Sequence, residues 1–225
     1  MSLEGNKNKT KTKNIIAFAG LTMMLVVFPA VSWYYLQQGL NYQKEARAEL
    51  KDYGKVKAFS FDSNLNKPIT EAAFDGNFSV ATFINADDET ITTNYMQLLS
   101  RLHEQFDLRP DVKFMTHVSS KFKSGDNLIS ELNTEATVQD KEQLYFLTGE
   151  TAALEQQAIK GYRLPLENQA FAKNTYVALV DTVGTVIQYY DFQNEAQVRR
   201  LVEHIAMLIP KDIPEKPVKE VEAEK

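Results

Sequence analysis

Between Lys13 and Lys44 the chain carries no charged residue, and inside that interval residues 15–36 (IIAFAGLTMMLVVFPAVSWYYL) are almost wholly apolar. A helix of that length, at ~1.5 Å per residue, runs ~33 Å and matches a hydrocarbon core ~30 Å thick. In lipid no water is at hand to bond the backbone, so a single spanning segment must be helical. Trp33, Tyr34 and Tyr35 stand at its C-terminal end, where interfacial aromatics belong. Pro29 is placed to kink it. Lys7, Lys9, Lys11 and Lys13 precede the span against Glu4 alone, whereas Lys44, Arg47 and Lys51 beyond it are diluted by Glu45, Glu49 and Asp52. That bias predicts a cytoplasmic basic tail over residues 1–13, a transmembrane helix over 14–37, and the C-terminal part outside. In a bacterium this means the inner (cytoplasmic) membrane, crossed once, with the domain in the periplasm. The alternative is a cleaved signal peptide, since Ala30-Val31-Ser32 resembles a cleavage site. Against it, the run continues through bulky aromatics where a signal peptide turns polar. Without cysteine there is no lipobox.

The zero cysteine count also excludes disulfides, thiol redox catalysis and thiolate metal sites. With His103, His117 and His204 as the only histidines, a His-rich metal centre is not expected, and each of the three reads as a structural or surface residue. A net charge of −5 argues against a nucleic-acid partner. No P-loop, Rossmann glycine pattern, GxSxG or HExxH occurs. With about 50 N-terminal residues and a short C-terminal tail set aside, roughly 155 residues remain for one domain with a real core.

Residues 38–57 are polar with helical composition and read as a stalk or as a plain linker. Residues 58–209 alternate strand and helix patterns. Strands are expected at 58–62, near Ile69, at 78–84, 112–118 and 145–147, and in a hairpin of 176–180 with 186–190 turning at Gly184. Ile91, Tyr95, Leu98, Leu99, Leu102 and Phe106 share one helical face, and Val198, Leu201, Val202, Ile205 and Leu208 another. Further helices are expected near 128–132 and over 151–162. A strand–helix–strand unit, a further helix, a hairpin and a closing helix describe an α/β, thioredoxin-like sandwich. Residues 210–225, rich in Pro, Glu and Lys, read as a disordered tail.

Three stretches resemble the SCO/SenC family of membrane-anchored thioredoxin-fold proteins tied to copper delivery and cytochrome c oxidase assembly. Phe146-Leu147-Thr148-Gly149, with Ala153-Leu154 and Gly161-Tyr162-Arg163-Leu164-Pro165, is similar to the family's LTG segment, its helix and the following loop. Leu179-Val180-Asp181, Gly184 and Tyr189-Tyr190-Asp191 are similar to its hairpin, LVDxxGxIRxYYD. Val80-Ala81-Thr82-Phe83 resembles the strand entering its active loop. The resemblance implies a thioredoxin-like domain over nearly all of residues 59–209.

It also locates what is missing. The family's active loop holds two cysteines in a CPxxCP context, and by spacing from Phe83 those positions fall on Asp88 and Thr92. The family's copper-ligating histidine falls on Lys173, counted back from Leu179. Soft thiolates select Cu(I), and an ammonium repels any cation. The family's acidic segment after the second strand also departs, reading Val118-Ser119-Ser120-Lys121. The expectation is therefore a degenerate member: no enzyme, no catalytic residue, no metal ligand and no cofactor.

Asp87, Asp88 and Glu89 cluster at the start of the helix that follows. They read as charge complementing the helix dipole, with Asp88 or Thr90 as cap. Alternatively they form an interaction loop for a basic partner or a site for a hard cation. Two function classes follow. One is a non-catalytic, membrane-tethered interaction module serving a membrane complex such as a terminal oxidase, as accessory subunit or assembly factor. The alternative is an extracytoplasmic ligand- or hard-metal-binding module using Asp87-Asp88-Glu89. Three formal glycosylation signals complete the inventory. Asn8-Lys9-Thr10 and Asn77-Phe78-Ser79 are N-linked sequons, without meaning in a bacterial host. Asp181-Thr182-Val183 resembles an O-glycosylation acceptor seen in some Gram-negative bacteria.

Overall fold

The computed structural model describes residues 18–119, 142–166 and 171–210. The helix expected near 128–132, the basic tail and the acidic tail from 211 onward lie outside the described residues. The chain forms two compact units, Met1–Ala48 and Glu49–Lys225.

In the first unit the chain is helical from Phe18, passes through a π-turn at Met23–Val27 and continues as α1 (Phe28–Glu49), whose last residue, Glu49, already belongs to the second unit. The π-turn is the local answer to Pro29, which has no N–H to give to the carbonyl four residues back. The preceding amide adjusts instead, Phe28 N–H bonding to Met23 O, five residues away. The helical stretch is long and apolar enough to cross a membrane.

The second unit is built on one seven-stranded sheet. In chain order its elements are β1 (Ser60–Ser63), β2 (Ile69–Thr70), β3 (Phe78–Asn85), α2 (Glu89–Phe106), β4 (Val112–Ser119) and β5 (Leu144–Thr148), followed by α3 (Thr151–Gln156), β6 (Tyr176–Val180), β7 (Val186–Asp191) and α4 (Glu195–Leu208). The strand order is β2-β1-β5-β4-β3-β6-β7. β3 and β4 run parallel because α2 carries the chain back across the sheet, and β4 pairs parallel with β5. β6 and β7 form the expected antiparallel hairpin, whose turn needs Gly184 at φ +80°. α3 does not reach Tyr162 as a regular helix; it passes into a π-turn over Gln157–Gly161. Gly161 leaves room there for the Gln157 amide, which reaches across to Lys57 O at 2.9 Å.

Because side chains alternate along a strand, β3 sends Val80 and Ile84 to one face and Ala81 and Phe83 to the other. The first face is covered by α2 and α4, with all six residues of the predicted α2 stripe buried. The second is covered by α3, its π-turn and the segments around Phe59, Phe74 and Phe171.

The predicted linker departs from expectation in its second half. Lys51 N–H bonds to Ile187 O, Tyr53 N–H to Val186 O and Val56 N–H to Gly184 O, so residues 51–56 lie along the outer edge of β7 and belong to the globular unit. Edge strands leave a row of unpaired backbone groups, and this extended segment supplies partners for it. No hydrophobic periodicity announces such a segment, because its contacts are made by the backbone.

Candidate functional site

The loop between β3 and α2 sits at the carboxyl end of a central parallel strand, where open α/β sheets place their ligands. Its conformation comes from Asn85: the side-chain oxygen accepts from Asp87 N–H at 3.2 Å, and the backbone oxygen accepts from Asp88 N–H at 3.0 Å. Asp88 then caps α2, its carboxylate accepting from Ile91 N–H at 3.1 Å. Thr92 is buried one turn into the helix, with its hydroxyl toward Asn85 O at 3.4 Å. Asp87 and Glu89 are exposed.

Lys173 ends a short 3-10 turn, Phe171–Lys173, and is itself exposed. The turn is pinned by the buried Asn174, whose amide donates to Phe83 O at 2.8 Å and to Tyr176 O at 3.1 Å. Since Phe83 lies two residues before the end of β3, Asp88, Thr92 and Lys173 all stand at the same end of that strand. The three positions picked out by spacing are thus brought to one rim of the domain. Their donors do not suit Cu(I): a carboxylate used as a helix cap, a buried hydroxyl and an ammonium offer no soft ligand. Among the described residues no group of three His, Asp or Glu side chains is placed to hold a metal ion.

Beneath that rim lies a cluster the sequence did not single out. His117 on β4 is fully buried and stacks on Phe83, its register partner on β3, with ring centroids 4.1 Å apart and planes at 12°. Phe59, Phe61 and Tyr162 meet it edge-on at 5.8, 5.7 and 5.3 Å. Its Nδ1 lies 3.0 Å from Thr82 O, a contact that assigns the proton to Nδ1 and leaves Nε2 a bare acceptor. Burial pushes its pKa down to about 3, so the imidazole is neutral at any ordinary pH. Nε2 and the Tyr162 hydroxyl are both buried without a hydrogen-bond partner. Alternation in VKFMTHV places His117 on the same face as Met115; nothing in the sequence placed four aromatic rings around it.

His204 is also a core residue. It is fully buried on α4, with Nδ1 2.5 Å from the Tyr190 hydroxyl and Nε2 3.6 Å from the Glu49 carboxylate. Arg200 grips the same carboxylate with two nitrogens, at 2.8 and 2.6 Å. That fork holds the Glu49 carboxyl below the usual carboxylate range.

No protein-family model matches this sequence, and no curated protein matches it. Solved structures do match. BsSco, a member of the Sco family of cytochrome c oxidase assembly proteins, superposes with a TM-score of 0.57 at 16% identity, covering 71% of this chain and 95% of that one. A SCO1/SenC family lipoprotein from Bacillus anthracis str. Ames gives 0.55 at 18% identity, over 70% of this chain and 97% of its own. Yeast Sco1 with copper bound gives 0.53 at 16%, over 72% and 99%. These are proteins of the family that the sequence motifs resemble. At such identities the likeness is one of fold: the globular unit is a thioredoxin-like domain, and it contains no cysteine.

Proposed function

We propose that this chain is a non-catalytic, membrane-tethered interaction module, an accessory subunit or assembly factor of a respiratory oxidase-type membrane complex. It handles neither thiols nor Cys-bound copper. The observation that carries the reading is the site itself. Among the described residues the thioredoxin-like sheet runs up to the rim where chemistry belongs, and there Asp88 is spent on capping α2 while Thr92 is buried. A scaffold kept without its donor atoms retains its surface, and a surface binds partners.

Membrane attachment rests on the helix from Phe18 to Glu49. The lysine bias before it supports an inner-membrane protein with its N-terminus in the cytoplasm and its domain in the periplasm. The choice of an oxidase complex is supported by what BsSco is: a member of a family of cytochrome c oxidase assembly proteins. The alternative, a hard-cation site at Asp87-Asp88-Glu89, draws no support from the geometry, because Asp88 is turned inward onto Ile91 N–H.

The test is a mild-detergent pull-down of the tagged full chain from its native membranes, with mass spectrometry of what accompanies it. Stoichiometric recovery of oxidase subunits or their assembly factors is the expected result. Recovery of the chain alone, or loss of the associated complex only when copper is removed, overturns it.

A further inference from the structure

The three glycosylation signals in the sequence are not equivalent once folded. Asn8-Lys9-Thr10 lies outside the described residues. In Asn77-Phe78-Ser79 the Asn77 amide is engaged with Ala73 O at 3.2 Å and Asp75 O at 3.0 Å, and Phe78 and Ser79 are buried. A transferase acting on the folded protein has nothing to grip there.

Asp181-Thr182-Val183 is presented at the tip of the β6–β7 hairpin. Asp181 organises the turn: one carboxylate oxygen accepts from Val183 N–H at 3.0 Å and Thr185 N–H at 2.7 Å, while Gly184 N–H returns to Asp181 O at 3.1 Å. The Thr182 carbonyl is pinned by Gly76 N–H at 3.0 Å, so the backbone of the tripeptide is held on both sides. The Thr182 side chain is partly exposed, and no hydrogen bond holds its hydroxyl among the described residues. Val183 is 58% exposed. A β-branched apolar residue at a turn tip is what neither turn chemistry nor core packing asks for. Outside the N-terminal helix, only Val183 and Ile159 are large hydrophobic side chains so exposed among the described residues. Folding thus explains Asp181 and Gly184 and leaves Thr182 and Val183 unexplained.

We propose that Thr182 is an O-glycosylation site, read by an extracytoplasmic transferase as a carboxylate, a hydroxyl and an apolar side chain on a rigid turn. The donor is a sugar carried on a lipid pyrophosphate. The Thr182 hydroxyl oxygen bonds to the anomeric carbon and its proton passes to a base of the transferase. The bond from that carbon to the phosphate oxygen breaks, and the electron pair leaves with the lipid pyrophosphate. The inference rests on the topology that puts this domain outside the membrane, and it is independent of the oxidase partner.

The test is mass spectrometry of the full chain purified from its native membranes, intact and as peptides fragmented without loss of labile groups. The expected result is an excess of whole sugar residues on the peptide carrying Thr182. The excess is lost completely in Thr182→Ala and in the shape-conserving Thr182→Val, and kept in Thr182→Ser. Val183→Asp, which leaves the hydroxyl in place, loses it as well. A wild-type peptide with the unmodified mass overturns the proposal, and so does an excess that survives Thr182→Val.

Discussion

The two faces of the sheet solve the same burial problem differently. On one, the regular helices α2 and α4 lay apolar stripes across Val80, Phe114, Phe146 and Leu179, and buried hydroxyls pair: the Tyr95 hydroxyl lies 2.8 Å from Thr116 Oγ1. On the other, a six-residue helix, a π-turn and several loops close over a knot of aromatic rings, and three buried polar atoms, Ser79 Oγ, His117 Nε2 and the Tyr162 hydroxyl, are left unpaired among the described residues. Helices bring their own satisfied backbone and a periodic surface, and on their side the buried polar atom left unpaired among the described residues is Gln143 Oε1, past the C-terminal end of α2, where Gln143 Nε2 donates to Phe106 O. Loops must fit ring by ring, and the fit is looser in its hydrogen bonding. The rim carrying Asp88, Thr92 and Lys173 draws on both: its loop ends in the cap of α2, and its 3-10 turn hangs from Phe83 on the aromatic side.

The sharpest contrast is in acid. A buried histidine with a folded pKa of about 3 and an unfolded value near 6.5 is neutral in both states above pH 6.5 and costs nothing there. As the pH falls below 6.5 the unfolded chain takes up a proton that the folded one refuses, and stability drops until pH 3. The loss reaches about 2 kcal/mol at pH 5. Urea unfolding of the full chain in detergent is expected to show this slope, and His117→Phe to flatten it; equal slopes would remove His117 from the account of that face.

The same hydroxyl deletion is expected to give opposite results on the two faces. Tyr95→Phe orphans the buried Thr116 hydroxyl and costs about 1–2 kcal/mol. Tyr162→Phe removes a hydroxyl that has no partner and leaves stability unchanged or raised. Equal losses in the two unfolding curves would show that both hydroxyls are satisfied and that the faces do not differ in this respect.

At the rim, Asp88→Ala removes the α2 cap and is expected to cost about 1 kcal/mol while leaving co-purifying proteins unchanged. A pull-down that loses its partners at wild-type stability would return Asp88 to the interaction loop. The smallest effect is expected at the Glu49–Arg200 fork, where Glu49 is about half exposed and solvent screens the pair. Glu49→Gln is expected to cost about 0.2–1 kcal/mol. The Arg200 hydrogen bonds lower the Glu49 pKa, so its contribution is full above the ordinary carboxylate value and fades as the pH falls through the lowered one. Thermal melts at pH 7 and pH 3 check the sign, since the difference between variant and wild type shrinks at the lower pH.

Much of the helix-covered face was legible beforehand. The stripe from Ile91 to Phe106 is buried as its spacing requires, and α4 forms where Val198, Leu201 and Ile205 share a face, burying all three. The hairpin was announced by two β-rich runs around Gly184. Motif spacing, a property of the chain, picked out Asp88, Thr92 and Lys173, and the three do gather at one end of β3. The role of Asp88 was open between a cap and a ligand, and only the bond to Ile91 N–H decided it.

What the amino-acid order determined by itself is what depends on composition and local period: a charge-free span long enough for a bilayer, two amphipathic helices, alternating strands and the absence of any thiol. These follow from the chemistry of each side chain and from helix and strand repeats. The tertiary structure decided what depends on residues far apart in sequence. It laid residues 51–56 along β7 through backbone bonds that no side-chain pattern reveals. It closed Phe59, Phe61, Phe83 and Tyr162 around His117, and it left Val183 in solvent while burying Phe78. Burial and pairing are properties of distance in space, and distance in space is what folding alone supplies.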